Sequence, residues 1–228
     1  MRSFDVNPWT QLPEAPPYWL PNDQRGIREF NELCESRHRH QHRIQEESLP
    51  EPYLGNPLTA RVVLLSLNPG HDEGDASWHD RSDFRAALRA TLEHTNVHSP
   101  FYLLDPGFAK SPGGKYWGSR LRCLRQIVGL AAIQKNVAVN EWYPYHSERF
   151  GFTKKLMSEA QDYSFELVRK AASDPDRMIV ILRGGARWQA SVSALQRFFI
   201  VNSVRNCVIS PRNLASGVFD EICKTLQS

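Results

Sequence analysis

Several polar side chains lie just past apolar runs, where they could do chemistry: Asn68 and His71, Asn140 and His146, and Ser210 and Arg212. An Asn amide offers a donor and an acceptor but is no strong base, so Asn68 and Asn140 could bond a ligand without taking a proton from it. Either His could hydrogen-bond a ligand or a phosphate, and the plainer reading of each is a loop imidazole satisfied by backbone or water. His38, His40 and His42 invite a metal, because His38 and His42 are four apart and would share a helix face. The run from Arg37 to Arg43 is basic, however, and no carboxylate follows until Glu46. A solvated basic face is therefore the better reading, and no metal site is expected.

These residues need strands to carry them. Arg61-Val62-Val63-Leu64-Leu65-Ser66-Leu67 has the apolar density of a strand covered on both faces, and Asn68-Pro69-Gly70 forces a turn at its end. Asn136-Val137-Ala138-Val139-Asn140 leads into an aromatic and polar turn containing His146. Met178 to Leu182 ends in Arg183-Gly184-Gly185-Ala186, and Asn206 to Ile209 ends in Ser210-Pro211-Arg212-Asn213-Leu214. In open α/β sheets, ligands bind at the carboxyl ends of such strands. Helical spacing predicts helices over Asp83 to His94, Ser119 to Ala132, Lys154 to Ala172, Ala186 to Phe199 and Ser216 to Leu226. This alternation predicts a doubly wound α/β domain with helices on both faces of a parallel sheet.

The first 50 residues differ in character. Five prolines among Trp9, Tyr18 and Trp19 predict an irregular arm that packs by its aromatics over a sheet edge or the helix layer. A helix from about Gln24 to Glu47, capped by Asn22 or Asp23, should follow. Residues 1–50 are thus expected as an arm plus helix packed on a domain of residues 51–228.

Taken in order, the four strand ends resemble the uracil-DNA glycosylase superfamily. Leu67-Asn68-Pro69-Gly70 looks like the water-activating loop of the mismatch-specific uracil and thymine enzymes, in which an Asn stands where classical uracil enzymes carry Asp. Gly70 occupies the place of the Tyr that blocks the thymine methyl group, which implies a roomier pocket, and classical enzymes also have His at the place of His71. The resemblance further implies that Asn140 pairs with the edge of a flipped base, that Gly184-Gly185-Ala186 is the small-residue turn, and that Leu214 is the wedge of a minor-groove loop. Ser111-Pro112-Gly113-Gly114-Lys115-Tyr116-Trp117 is similar to a segment of the mismatch-specific enzymes. Phe101, with Tyr102 close behind, falls where a base-stacking aromatic is expected.

The fold so implied is a three-layer α/β/α sandwich with a four-stranded parallel sheet in the order 2-1-3-4. The activity implied is cofactor-free hydrolysis of the N-glycosidic bond of uracil, or of a related damaged or mismatched pyrimidine, flipped out of DNA by a monomer. His146 or His71 could assist the leaving base. Two departures favour an alternative, a non-catalytic module that binds a base, a nucleotide or a protein partner. Ser210 replaces the His or Asn of the last motif, which weakens stabilisation of the leaving base, and Arg212 replaces a small Ser. A third reading, a hydrolase of free nucleosides, leaves Leu214 idle.

Composition fits one intracellular domain: 228 residues, a formal charge of +3, and four cysteines without a Cys-x-x-Cys pair. The charge is too small to imply nucleic-acid binding, although basic residues cluster around Tyr116 and flank the later strand ends. A polar N-terminus without a leader pattern and the lack of a long apolar run predict a cytoplasmic protein that does not enter membranes.

Overall fold

The run Val62-Val63-Leu64-Leu65-Ser66 forms the central strand β2 (Val62–Ser66), and all of its residues are buried. It pairs in parallel with β3 (Val137–Glu141), Val62 opposite Val137 and Ser66 opposite Glu141. On its other side it pairs in parallel with β4 (Met178–Ile181), Val62 opposite Met178. These contacts come from a computed structural model that describes residues 6–151, 156–193, 195 and 198–227. Two short edge strands complete a mixed sheet. The strand β5 (Phe199–Ile200) joins β4 in parallel, and β1 (Tyr53–Leu54) joins β3 antiparallel, giving the order β1-β3-β2-β4-β5.

The sheet corrects the expectation of four parallel strands in two ways. An antiparallel edge strand is added, and the fourth parallel strand is Phe199–Ile200, which begins at the last residue of the helix expected over Ala186 to Phe199. The expected strand Asn206 to Ile209 makes no ladder. Asn213 takes the place of a neighbouring strand: its Nδ2 donates to the carbonyls of Asn206 and Val208, each at 2.9 Å, and its Oδ1 accepts from the Ser203 amide at 2.8 Å. Buried backbone acceptors need partners, and one side chain here supplies what a strand would have supplied. Where the chain leaves β1, Gly55 has φ +72° and lies so close to β3 that a Cβ would meet the Val137 carbonyl oxygen at 2.3 Å.

The helices are α1 (Gln24–Ser36), α2 (Asp75–His79), α3 (Ser82–Leu92), α4 (Pro112–Arg120), α5 (Arg122–Val128), α6 (Leu130–Asn136), α7 (Glu159–Ser173), α8 (Gly185–Ser191) and α9 (Val218–Gln227). The helix expected from Gln24 to Glu47 stops at Ser36. His38 takes φ 52°, its amide donates to the Glu35 carbonyl at 3.0 Å, and the Arg39 amide reaches back to the Cys34 carbonyl at 2.8 Å. This is a Schellman ending with His where glycine is usual, so the sequence carried no stop signal. His38 and His42 consequently share no helix face. The single helix expected over Ser119 to Ala132 is split at Leu121 and at Gly129, whose φ is +82°. The start expected for the next helix, Lys154, lies outside the described residues. That helix begins at Glu159 behind a capping box of Ser158 and Gln161.

The arm belongs to the same buried core as the sheet, through Trp9, Tyr18 and Trp19. Its first turn packs on α7, so it covers a helix. Tyr145 fastens it: the phenol donates to Asp23 Oδ2 at 2.6 Å and accepts from the Leu20 amide at 3.1 Å, while Ser158 Oγ donates to the same Asp23 oxygen at 2.6 Å. Asp23 sits at the helix N-cap but makes no side-chain cap, because its carboxylate is used across the fold. Among the described residues, no helix is long and apolar enough to cross a membrane.

Candidate functional site

The loops that leave β2, β3 and β4 enclose a cavity of about 480 Å³, within the size range of small-molecule sites. Leu67, Asn68, Gly70 and His71 enter it from β2, Glu141 and His146 from β3, and Arg183 from β4. Tyr116 and Trp117 on α4 and Phe150 in the loop after β3 give it aromatic walls, while Glu51 and His79 close its inner end. Gly184, in the left-handed region at φ +70°, lets the turn into α8 press on Leu67, whose Cδ1 would lie 2.9 Å from an added Cβ.

The first-motif residues and both candidate histidines therefore meet in one place. Asn68 Nδ2 donates to the Pro69 carbonyl at 2.8 Å and to Ser147 Oγ at 3.0 Å, which leaves Oδ1 to accept a hydrogen bond from water. His146 Nδ1 lies 2.6 Å from the Gly70 carbonyl oxygen. A carbonyl only accepts, so Nδ1 carries the proton and Nε2 of neutral His146 is a bare acceptor. That Nε2 is buried and unpartnered among the described residues.

Other expected residues lie elsewhere. Phe101 is fully buried behind the wall, its ring edge-on to Trp117 with centroids 5.9 Å apart, so it supports an aromatic wall without facing a ligand. Tyr102 is also buried and donates to Glu51 Oε1 at 2.5 Å. Asn140 is 0% exposed, pairs in the ladder with Leu65 and Tyr53, and does not line the cavity. Strand alternation explains this: neighbours on a strand point to opposite faces, and Glu141 takes the cavity position. Ser210 and Arg212 line a separate pocket beside Arg122 and Cys123. Leu214, expected as an exposed wedge, is only 3% exposed and belongs to the core.

The groups that were not singled out from sequence are ionisable and buried: Glu51, His79 and Glu141. Burial pushes the Glu141 carboxyl up to about 8 despite a hydrogen bond from Ser66 and the nearby Arg183, and Glu51 adds to the rise. Glu141 thus holds a proton at neutral pH. Glu51 is raised too, by burial first, with His146 and the Tyr102 hydrogen bond pulling the other way and Asp75 adding to the rise. Burial lowers His79 to about 3, helped by His146 and His71, and burial likewise lowers His71. Perturbed groups gathered in a cleft mark a candidate functional site. Glu51 sits in a proline-rich connection and His79 on a five-residue helix, so neither carried a motif.

Glu51, His79 and His146 place possible ligand atoms within 4.8 Å of one another, a spacing that could suit a metal ion. The hydrogen bonding fits a different use. The Leu49 amide donates to His79 Nδ1 at 3.2 Å, so the proton of neutral His79 is on Nε2, where it cannot ligate. The trio instead comprises one imidazole with an N–H donor, one with a free lone pair and a carboxyl, the parts of a proton-sharing group. Among known proteins, no family model, no curated protein and no solved structure matches this chain.

Proposed function

We propose that the cavity is the base pocket of a hydrolase that cleaves the N-glycosidic bond of uracil, or of a related damaged or mismatched pyrimidine, in DNA. The observation that carries this reading is the placement of Leu67-Asn68-Pro69-Gly70 at the carboxyl end of the central parallel strand, on a cavity walled by aromatics. The four parallel strands run β3-β2-β4-β5, which is 2-1-3-4 when only they are counted. Right-handed crossovers would put α2 to α6 on one face and α7 and α8 on the other, and α9 packs with α5 and α6. A three-layer sandwich of the uracil-DNA glycosylase kind accounts for this order.

Cleavage builds positive charge on the sugar and negative charge on the departing base. Asn68 Oδ1 positions the attacking water, and His146 Nε2 takes the proton that Asn68 cannot. Glu51 then faces the imidazolium, an attraction already felt between the two groups. Tyr116 and Trp117 supply the stacking walls. Arg149, exposed on the cavity lining, stands ready for a phosphate.

The burial of Leu214 favours a substrate whose base is already unpaired, either single-stranded DNA or, as a second reading, a free nucleoside. Alkali-cleaved, labelled oligonucleotides carrying uracil in single strands and opposite guanine or adenine, assayed beside free deoxyuridine, test both. Cleavage lost in Asn68→Ala and His146→Ala is the expected result. No product from any substrate over hours at excess protein would remove the uracil reading and leave the other damaged pyrimidines to be assayed in the same way.

A further inference from the structure

Four cavity-lining side chains each have a buried polar atom without a hydrogen-bond partner among the described residues: His71 Nδ1, Glu141 Oε2, His146 Nε2 and Arg183 Nε. His71 and His146 serve the end of the cavity where water is held. Glu141 is the last residue of β3 and Arg183 lies just past β4, the two strands that flank β2. The Arg183 amide bonds to the Leu65 carbonyl at 3.3 Å, and Glu141 stands opposite Ser66 in the ladder. The two side chains act on each other electrostatically, and both act on Tyr116. A buried carboxyl oxygen and a buried guanidinium N–H left open beside an aromatic wall are an acceptor and a donor without a counterpart, and buried polar groups in native folds are normally satisfied.

We infer that Glu141 and Arg183 are the specificity pair of this cavity, reading the imide edge of a pyrimidine: Glu141 Oε2 accepts the ring N–H, and Arg183 Nε–H donates to the adjacent ring carbonyl. The inference rests on the proposal that the cavity takes a pyrimidine, and it gives the edge-reading task to residues other than the walled-off Asn140. In the neutral acid the proton sits on the oxygen that faces Ser66, whose hydroxyl then accepts it, so Oε2 keeps its lone pairs for a ligand and no anion stands against the electron-rich ring carbonyls. An edge with N–H beside C=O fits the pair. A ring with that nitrogen methylated does not fit, because it leaves Glu141 without its partner.

The test is saturation-transfer NMR titration of the full chain with uracil and with 3-methyluracil, alongside Glu141→Ala, Glu141→Gln and Arg183→Ala. Circular dichroism melts would confirm that each variant is folded. The expected result is that wild type prefers uracil to 3-methyluracil by about tenfold or more, since a site built to bond a polar group rejects the analogue that lacks it. Glu141→Ala and Arg183→Ala should abolish this preference, and Glu141→Gln, which keeps an acceptor of the same shape, should restore it. Equal binding of the two ligands by wild type would overturn the pair while leaving the pyrimidine pocket standing. Preference unchanged in folded Glu141→Ala would do the same, and binding of neither ligand would overturn both the pair and the pocket.

Discussion

His146 donates through Nδ1 to the carbonyl of Gly70 at 2.6 Å, tying the loop after β3 to the motif loop after β2. The bond fixes the tautomer, and with it the identity of the free nitrogen in the cavity. Removing this base should lower the rate of base release by about 100-fold or more. His146→Gln and His146→Ala should lose similar amounts of activity, because neither can take a proton; single-turnover kinetics would measure this. A Gln variant at wild-type rate would mean that the imidazole only ties the loops.

Glu141 makes stability depend on pH. Its carboxyl is raised from 4.5 to about 8 by burial, so between those values the folded protein keeps a proton that the unfolded chain has released. The stabilisation is complete below about pH 4.5 and falls as pH rises through 8, by at most about 1.4 kcal/mol per pH unit. Urea unfolding at pH 5, 7 and 9 should show this decline in wild type, and Glu141→Gln should flatten it. Equal slopes in the two proteins would contradict the placement of a buried acid here.

Leu214→Ala separates a wedge from a core residue. As a buried side chain it should cost roughly 2–5 kcal/mol of stability, by loss of transfer energy and creation of a cavity. Binding of single-stranded and duplex DNA should change in parallel where folding is retained. A stable variant with a selective loss of duplex binding would restore the wedge role.

Gly184→Ala tests the turn against Leu67. A side chain at φ +70° is strained, and here its Cβ would also press on Leu67 Cδ1. Thermal melts should show a loss of roughly 1–2 kcal/mol from the backbone alone. Because Leu67 lines the cavity, weaker ligand binding should accompany the loss. A variant as stable as wild type would show that the turn relaxes freely.

The central sheet was legible because its apolar runs were continuous and its turn residues explicit. Val62 to Ser66, Val137 to Asn140 and Met178 to Ile181 all became strands, and Asn68, Gly70, His71 and His146 met where strand ends should bring them together. The misses have local causes. Phe199–Ile200 is too short for a period, and Asn206 to Ile209 has strand-like composition while Asn213 supplies its hydrogen bonds. His38 ends a helix in a conformation usually left to glycine. Asn140 and Glu141 differ by one residue, hence by the face of the strand, and only the ladder with Ser66 decides which enters the cavity. Glu51 and His79 owe their chemistry to burial, which no spacing in the sequence expresses.

The anchoring of the arm has a consequence for biosynthesis. Leu20 meets Tyr145 across 125 positions, and Asp23 meets Ser158 across 135. A chain made from its amino end presents Trp9, Tyr18 and Trp19 long before either partner exists. Contacts between distant positions are slow to form, and exposed apolar surface on a nascent chain invites association. The opening segment therefore depends on the ribosome having finished more than half of the protein, and the interval before α7 emerges is when this chain most needs a chaperone.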